Sequence, residues 1–160
     1  TEDLNSKLKS NIPFDFIEKN IAALNLFDRH HYEEVEEVLR ELNKVKNTTI
    51  GIFSSGEEGF QRSKIKKIIR HLHKDHLHIF MFKHDNLREL FLKYRNCKLI
   101  IVDDFLDILH KIKESNRNTI TVWIKRKERS EFNKAVRIVG FKPDFEIKNL
   151  KELIPIVKNK

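Results

Sequence analysis

The chain has 160 residues, a formal net charge of +8 at neutral pH and a single cysteine. That length suits one well-packed domain and leaves too little for two of ordinary size, while one cysteine excludes an internal disulfide and fits a reducing compartment. No segment approaches the roughly 18 consecutive apolar residues that cross a bilayer, and the opening TEDLNSKLKSN lacks the apolar core of a secretory signal, so the expectation is a cytoplasmic chain that engages no membrane.

In chain order, Phe14, Ile17, Ile21 and Leu24 recur at helical spacing and predict a short amphipathic helix over residues 13–27. Between residues 31 and 46, Val35, Val38, Leu39, Leu42 and Val45 fall on one side, with Glu33, Glu34, Glu36, Glu37 and Glu41 forming an acidic exterior; this predicts a second helix. The run TTIGIFSSG then changes period and closes on small polar residues, as a strand followed by a turn does. Ile65, Ile68, Ile69 and Leu72 share a helical face. Further strands are predicted over residues 77–82, 98–102 and 119–124, with helices over 86–94 and 103–115 between them. A short strand in PDFEI and a terminal helix in NLKELIPIV complete the chain.

Strand alternating with helix argues for an α/β fold with a mostly parallel, Rossmann-like sheet and flanking helices, because parallel connections need a crossover. Residues 1–47 are expected to form a helical cap or flanking segment and residues 48–160 the α/β domain. Charge is unevenly spread. Residues 1–47 carry ten acids against seven Lys and Arg, residues 57–98 five against eleven, and residues 111–142 three against ten. The later sequence therefore offers a positive face to an anion, a phosphorylated small molecule or a nucleic-acid phosphate, against the plainer reading of a basic, soluble surface.

Ligands of parallel sheets meet the carboxyl ends of the strands, and three polar features fall there. Ser54, Ser55 and Gly56 follow the first strand, Lys83 follows the second, and Asp103 and Asp104 follow the third, with Asp107 one turn later. Together these would supply hydroxyl and backbone donors, a cation and carboxylates, a set suited to phosphate and Mg²⁺. Taken singly, each has a plainer explanation: a turn or cap for Ser54, a surface lysine for Lys83, a helix cap for the acids. SSGEEGFQRSK lacks the GxxxxGK[ST] spacing of a phosphate loop, and IFSSGEE offers no nucleophile elbow. His71, His73, His76 and His78 crowd together, yet no HExxH is present and a helix would scatter them. A mixed structural role is the reading, with zinc or nickel binding the sharper alternative. Cys97 sits in an apolar run, where a buried thiol is expected.

The order of these motifs resembles the haloacid dehalogenase-like superfamily over residues 33–157. VEEVLRELNKVKNTTIGIFSSG is similar to its second motif and preceding helix, FQRSKIKKI to the stretch after it, LIIVDDFLDI to its acidic motif, and GFKPDFEIKNLKELIPIV to its C-termini; Lys83 stands where the family has its lysine. The resemblance implies Mg²⁺-dependent phosphatase ancestry. Ser54 would orient phosphate, Lys83 would neutralise it, and Asp103, Asp104 and Asp107 would hold Mg²⁺.

The family nucleophile is an aspartate in a D-x-D motif at the end of a central first strand. Residues 1–47 contain only Asp3, Asp15 and Asp28, none in such a pair, and IPFDFIEK is the nearest imitation. The fold is therefore expected to be truncated or incomplete at its catalytic strand, and the chain by itself is expected to be inactive by the aspartyl-phosphate route. Without that strand its neighbours must re-pair or leave backbone groups unpaired. An upstream segment beyond Thr1 or a protein partner would supply it. Alternatively, the chain is a diverged binding or assembly module.

Overall fold

The computed structural model describes residues 32–126 and 140–160, together with Pro13. The helix expected over residues 13–27, and with it Asp3, Asp15 and Asp28, lies outside the described residues. Helix α1 (Glu34–Leu42) buries Val38 and Leu42. Its acids crowd the first turn and Arg40 the last, both matched to the helix dipole. Asn47, at φ 57°, turns the chain toward the sheet; asparagine tolerates that left-handed conformation.

Strand β1 (Ile52–Ser55) pairs in parallel with β2 (Leu77–Phe80), Ile52 opposite Leu77 and Ser55 opposite Phe80. Gly51 leads into this pair because any Cβ there would meet the His76 backbone oxygen at 2.5 Å and its Cβ at 2.8 Å. Helix α2 (Glu58–Ile65) joins the two strands, its N-terminus capped by the Glu57 carboxylate, which accepts from Gly59 N–H at 2.7 Å and Phe60 N–H at 2.6 Å. A 3₁₀ turn at Lys83–Asn86 and helix α3 (Leu87–Lys93) follow β2.

The second ladder runs β3 (Ile100–Asp103), β4 (Ile120–Ile124), β5 (Phe145–Ile147), all parallel, with β4 in the middle. Helix α4 (Leu106–Ser115) crosses between β3 and β4, and α5 (Leu153–Lys158) closes the chain after a 3₁₀ turn whose Asn149 and Glu152 form a reciprocal cap. Asp144, just before β5, ties the layers together: its carboxylate accepts from Thr121 N–H and Oγ1, each at 2.8 Å, and from Lys113 Nζ at 2.7 Å.

The core lies in two layers on opposite faces of β4. Val122 and Ile124 pack with Val38, Leu42, Ile147 and Leu153 under α1 and α5, while Trp123 between them turns to Leu87, Leu106, Leu109 and Ile112 under α3 and α4. This is the period of two expected of a strand covered on both sides. Leu109 and Ile112 are fully buried, each contributing about 1.5–3 kcal/mol by that burial.

Several boundaries differ from expectation. β1 begins at Ile52 and extends through Ser55, and β3 ends on Asp103 itself, so α4 starts only at Leu106. The helical face of Ile65, Ile68, Ile69 and Leu72 does not continue α2. The chain tightens into 3₁₀ turns through Ile69–His71, held by Asn43 Nδ2 donating to His71 O and His73 N–H donating to Ile50 O, both at 2.9 Å. Cys97 is exposed rather than buried, because it lies in the loop before β3, its N–H on Tyr94 O at 2.9 Å. Among the described residues no helix is long and apolar enough to cross a membrane.

Candidate functional site

The carboxyl ends of β1 and β3 come together through Lys83. Its backbone N–H donates to Ser55 Oγ at 3.1 Å, and its ammonium forms an ion pair with Asp103 Oδ2. Both charged side chains are buried, 11% and 6% exposed, and the Phe53 ring lies 5.9 Å from the ammonium. Burial pushes the Asp103 carboxyl above its ordinary range, against the opposing pull of Lys83 and of the Phe105 N–H, which donates to Oδ1 at 2.9 Å. Burial outweighs pairing, as desolvation does when two charges leave water together.

The other residues singled out in the sequence are arranged less simply. Ser54 points to the other side of its strand and donates from Oγ to Gln61 Oε1 at 3.2 Å. Gly56 adopts φ +131°, a conformation that side chains disfavour, and its N–H is spent on Phe80 O at 2.8 Å. The α2 N-terminus is likewise engaged by Glu57, whose carboxyl those backbone hydrogen bonds hold below the ordinary range. Asp104 gives its carbonyl to Trp123 Nε1 at 3.2 Å, and Asp107 sits exposed on the first turn of α4.

Ser55, Lys83 and Asp103 thus share one bonded network, Ser54 stands beside it, and Asp107 takes no part in it. Both Asp103 oxygens are occupied, and no group of three or more His, Cys, Asp or Glu side chains among the described residues could hold a metal ion. As arranged, this donor set does not fit Mg²⁺, which needs several oxygens in near-octahedral array.

Sequence reasoning did not identify Gln61 as the partner of Ser54, nor the apolar character of the rim. Met81, Phe82 and Phe105, within two residues of the ends of β2 and β3, are exposed, as is Phe60 on α2; for the first three, position directly after a strand was the available signal. A shallow concavity of about 380 Å³ lies at the opposite, amino end of β3 and β4, lined by Arg95, Cys97, Lys98 and Thr119 among others, and is separate from the rim. The histidines serve packing: His78 Nε2 meets the Tyr94 hydroxyl at 2.6 Å and His76 stacks on the same ring, with burial lowering the pKa of both imidazoles.

A crystal structure described as a haloacid dehalogenase-like hydrolase from Burkholderia xenovorans LB400 matches this fold with a TM-score of 0.76, covering 97% of this chain and 70% of that one at 18% identity. The fold is haloacid dehalogenase-like. No protein-family model and no curated protein matches the sequence.

Proposed function

We propose that this haloacid dehalogenase-like chain binds a phosphorylated ligand at the β1–β3 rim and does not, by itself, hydrolyse it through an aspartyl-phosphate. The observation that carries the reading is Lys83, a buried cation at the carboxyl ends of two strands: its ammonium pairs with Asp103 and its backbone N–H donates to Ser55 Oγ. A phosphate displacing Asp103 would replace one charge-assisted partner by another, with Ser55 Oγ as a further donor. The net charge of +8 favours anionic ligands generally, a phosphomonoester or the phosphate of a nucleotide or nucleic acid.

Hydrolysis by the family route needs an attacking carboxylate, and no D-x-D pair occurs among residues 1–47. The geometry around Asp103 also gives Mg²⁺ no set of ligands, so it is assigned no step. Hydrolase ancestry with a retained ligand rim accounts for the ordered motifs; a module that holds phosphate accounts for the engaged carboxylate.

Calorimetric titration with inorganic phosphate and with a 5′-phosphorylated oligonucleotide tests this. Ser55→Ala, a small and structurally mild change, should weaken phosphate binding about three- to tenfold, as loss of one hydrogen bond does. Phosphate release with added Mg²⁺ should stay at background. Unchanged affinity in S55A, or turnover abolished by Asp103→Ala, would sink the reading.

A further inference from the structure

The concavity at the amino end of β3 and β4 lies away from the rim and has a chemistry of its own. Cys97, the only cysteine of the chain, lines it as an exposed, free thiol. The loop from α3 to β3 puts it there: its N–H is tied to Tyr94 O at 2.9 Å, and pairing with β4 begins only at Ile100. Arg95 and Lys98 flank it in the chain and line the same hollow. Among the described residues no acid lines that hollow, and Arg95 forms no ion pair. Lys98 Nζ donates to Lys160 O at 3.2 Å, which leaves the ammonium further donors.

Thr119 is a second, independent sign. It lines the concavity at 1% exposure, and its hydroxyl has no hydrogen-bond partner. Its backbone is fully engaged, the N–H on Asn116 O at 3.1 Å and the carbonyl on Lys113 Nζ at 2.8 Å. Only the side chain is left over. Buried polar groups are nearly always paired, so an orphaned hydroxyl in the wall of a hollow marks a place that something else completes.

We propose that this hollow is a thiol-exchange site, in which Cys97 forms a mixed disulfide with a small, peptide-like thiol that carries carboxylates. The volume of about 380 Å³ falls within the range of about 300–1,000 Å³ that small-molecule sites occupy. Arg95 and Lys98 attract the carboxylates before exchange, and exposed side-chain amides such as Asn118 suit the peptide groups of the ligand. A lone cysteine has no internal partner, so a reversible disulfide requires a thiol from outside. In the exchange the Cys97 thiolate attacks one sulfur of the oxidised ligand. A bond to Sγ forms as the ligand's own S–S bond breaks, and the departing half leaves as a thiolate that takes up the proton Cys97 released. The site stands apart from Lys83, and the proposal does not depend on phosphate binding at the rim.

The test uses the reduced 160-residue chain, in which every adduct is an adduct of Cys97. Three disulfides are compared by intact mass over time: oxidised glutathione, which is anionic, bis(2-hydroxyethyl) disulfide, which is neutral, and cystamine, which is cationic. Folding should raise the rate with oxidised glutathione over that with cystamine by about tenfold relative to the same ratio in urea, the size that two screened charge contacts supply. Added salt should narrow the preference. S-methylglutathione cannot exchange; it should occupy the hollow and slow adduct formation. Arg95→Gln with Lys98→Gln should remove the preference without moving the melting temperature. Thr119→Val should weaken the competition by S-methylglutathione about three- to tenfold, as loss of one hydrogen bond does, and should not lower the melting temperature. The same rate ratio in folded and unfolded chain would overturn the proposal, since the thiol would then be merely accessible. So would the absence of competition, or a disulfide-linked second copy of the chain as the main product.

Discussion

Replacing Lys83 by methionine isolates the energetics of the buried pair. Methionine keeps most of the side-chain volume and removes the charge, leaving Asp103 only 6% exposed and held by a single N–H from Phe105. Exposed ion pairs rarely exceed about 1 kcal/mol, but breaking one this buried costs about 3–5 kcal/mol because the remaining charge is uncompensated. Without Lys83 the same carboxyl is pushed further up, because burial then acts unopposed by a neighbouring cation. The sign of the pH dependence follows. Asp103 is already raised in the folded protein, so folding binds its proton more readily than the unfolded chain does, and stability from this group grows as pH falls and is lost as pH rises through the folded value. Loss of Lys83 moves that window upward. Urea unfolding of the wild type and Lys83→Met should therefore show a deficit of about 3–5 kcal/mol near pH 8 that narrows toward pH 5. Adding Asp103→Leu should recover most of it, since an apolar pair of similar volume is often as stable as a buried ion pair. A deficit below about 1 kcal/mol, or one equal at both pH values, would refute the assignment of a desolvated pair.

Asp144→Ala should cost about 2 kcal/mol in the same assay, because it strips the buried Thr121 N–H and hydroxyl of their shared acceptor. Burial pushes the Asp144 carboxyl up, but Lys113 and Thr121 hold it below the ordinary range; its contribution is present above the unfolded value and is lost as pH falls through the folded one, so wild type and variant should converge in acid. Gly51→Ala should destabilise by on the order of 1–3 kcal/mol, because its Cβ would press on the His76 backbone just before β2; a neutral result would show that the β1–β2 approach is looser than described.

Much of the layer structure was readable because burial on both faces leaves an unbroken apolar run. TVWI and LIIV announce β4 and β3, and the acid closing LIIVD marks the rim. What could not be read is pairing across chain distance. Lys83 and Asp103 are 20 residues apart, and nothing local distinguishes a lysine that turns inward from one that stays in water. The amide of Gly56 was expected as a phosphate donor, and only the strand register shows that it is committed to Phe80. Periodicity misled at Ile69 and Leu72: Ile68 is buried but Ile69 is exposed, and tertiary bonds to Asn43 and Ile50 tighten the backbone there. The apolar run around Cys97 suggested a strand interior, yet pairing begins only at Ile100.

The unjoined ladders also bear on how the molecule comes apart. A continuous sheet transmits disruption from strand to strand, so its amides tend to open together; among the described residues no ladder hydrogen bond links the β1 edge to the β3 edge. The β1–β2 unit with α2 can lift away by giving up side-chain contacts at Phe53 and Ile50, the hydrogen bonds of Asn43 to His71 and of His78 to Tyr94, and the ion pairs of Arg70 with Glu36 and Lys83 with Asp103, while β3, β4 and β5 keep every rung. Two cooperative units of unequal stability follow from this, the larger held by α4, α5 and the Asp144 network. In denaturant, fluorescence from Trp123 on β4 would then report the later of two transitions, and circular dichroism would begin to fall before it.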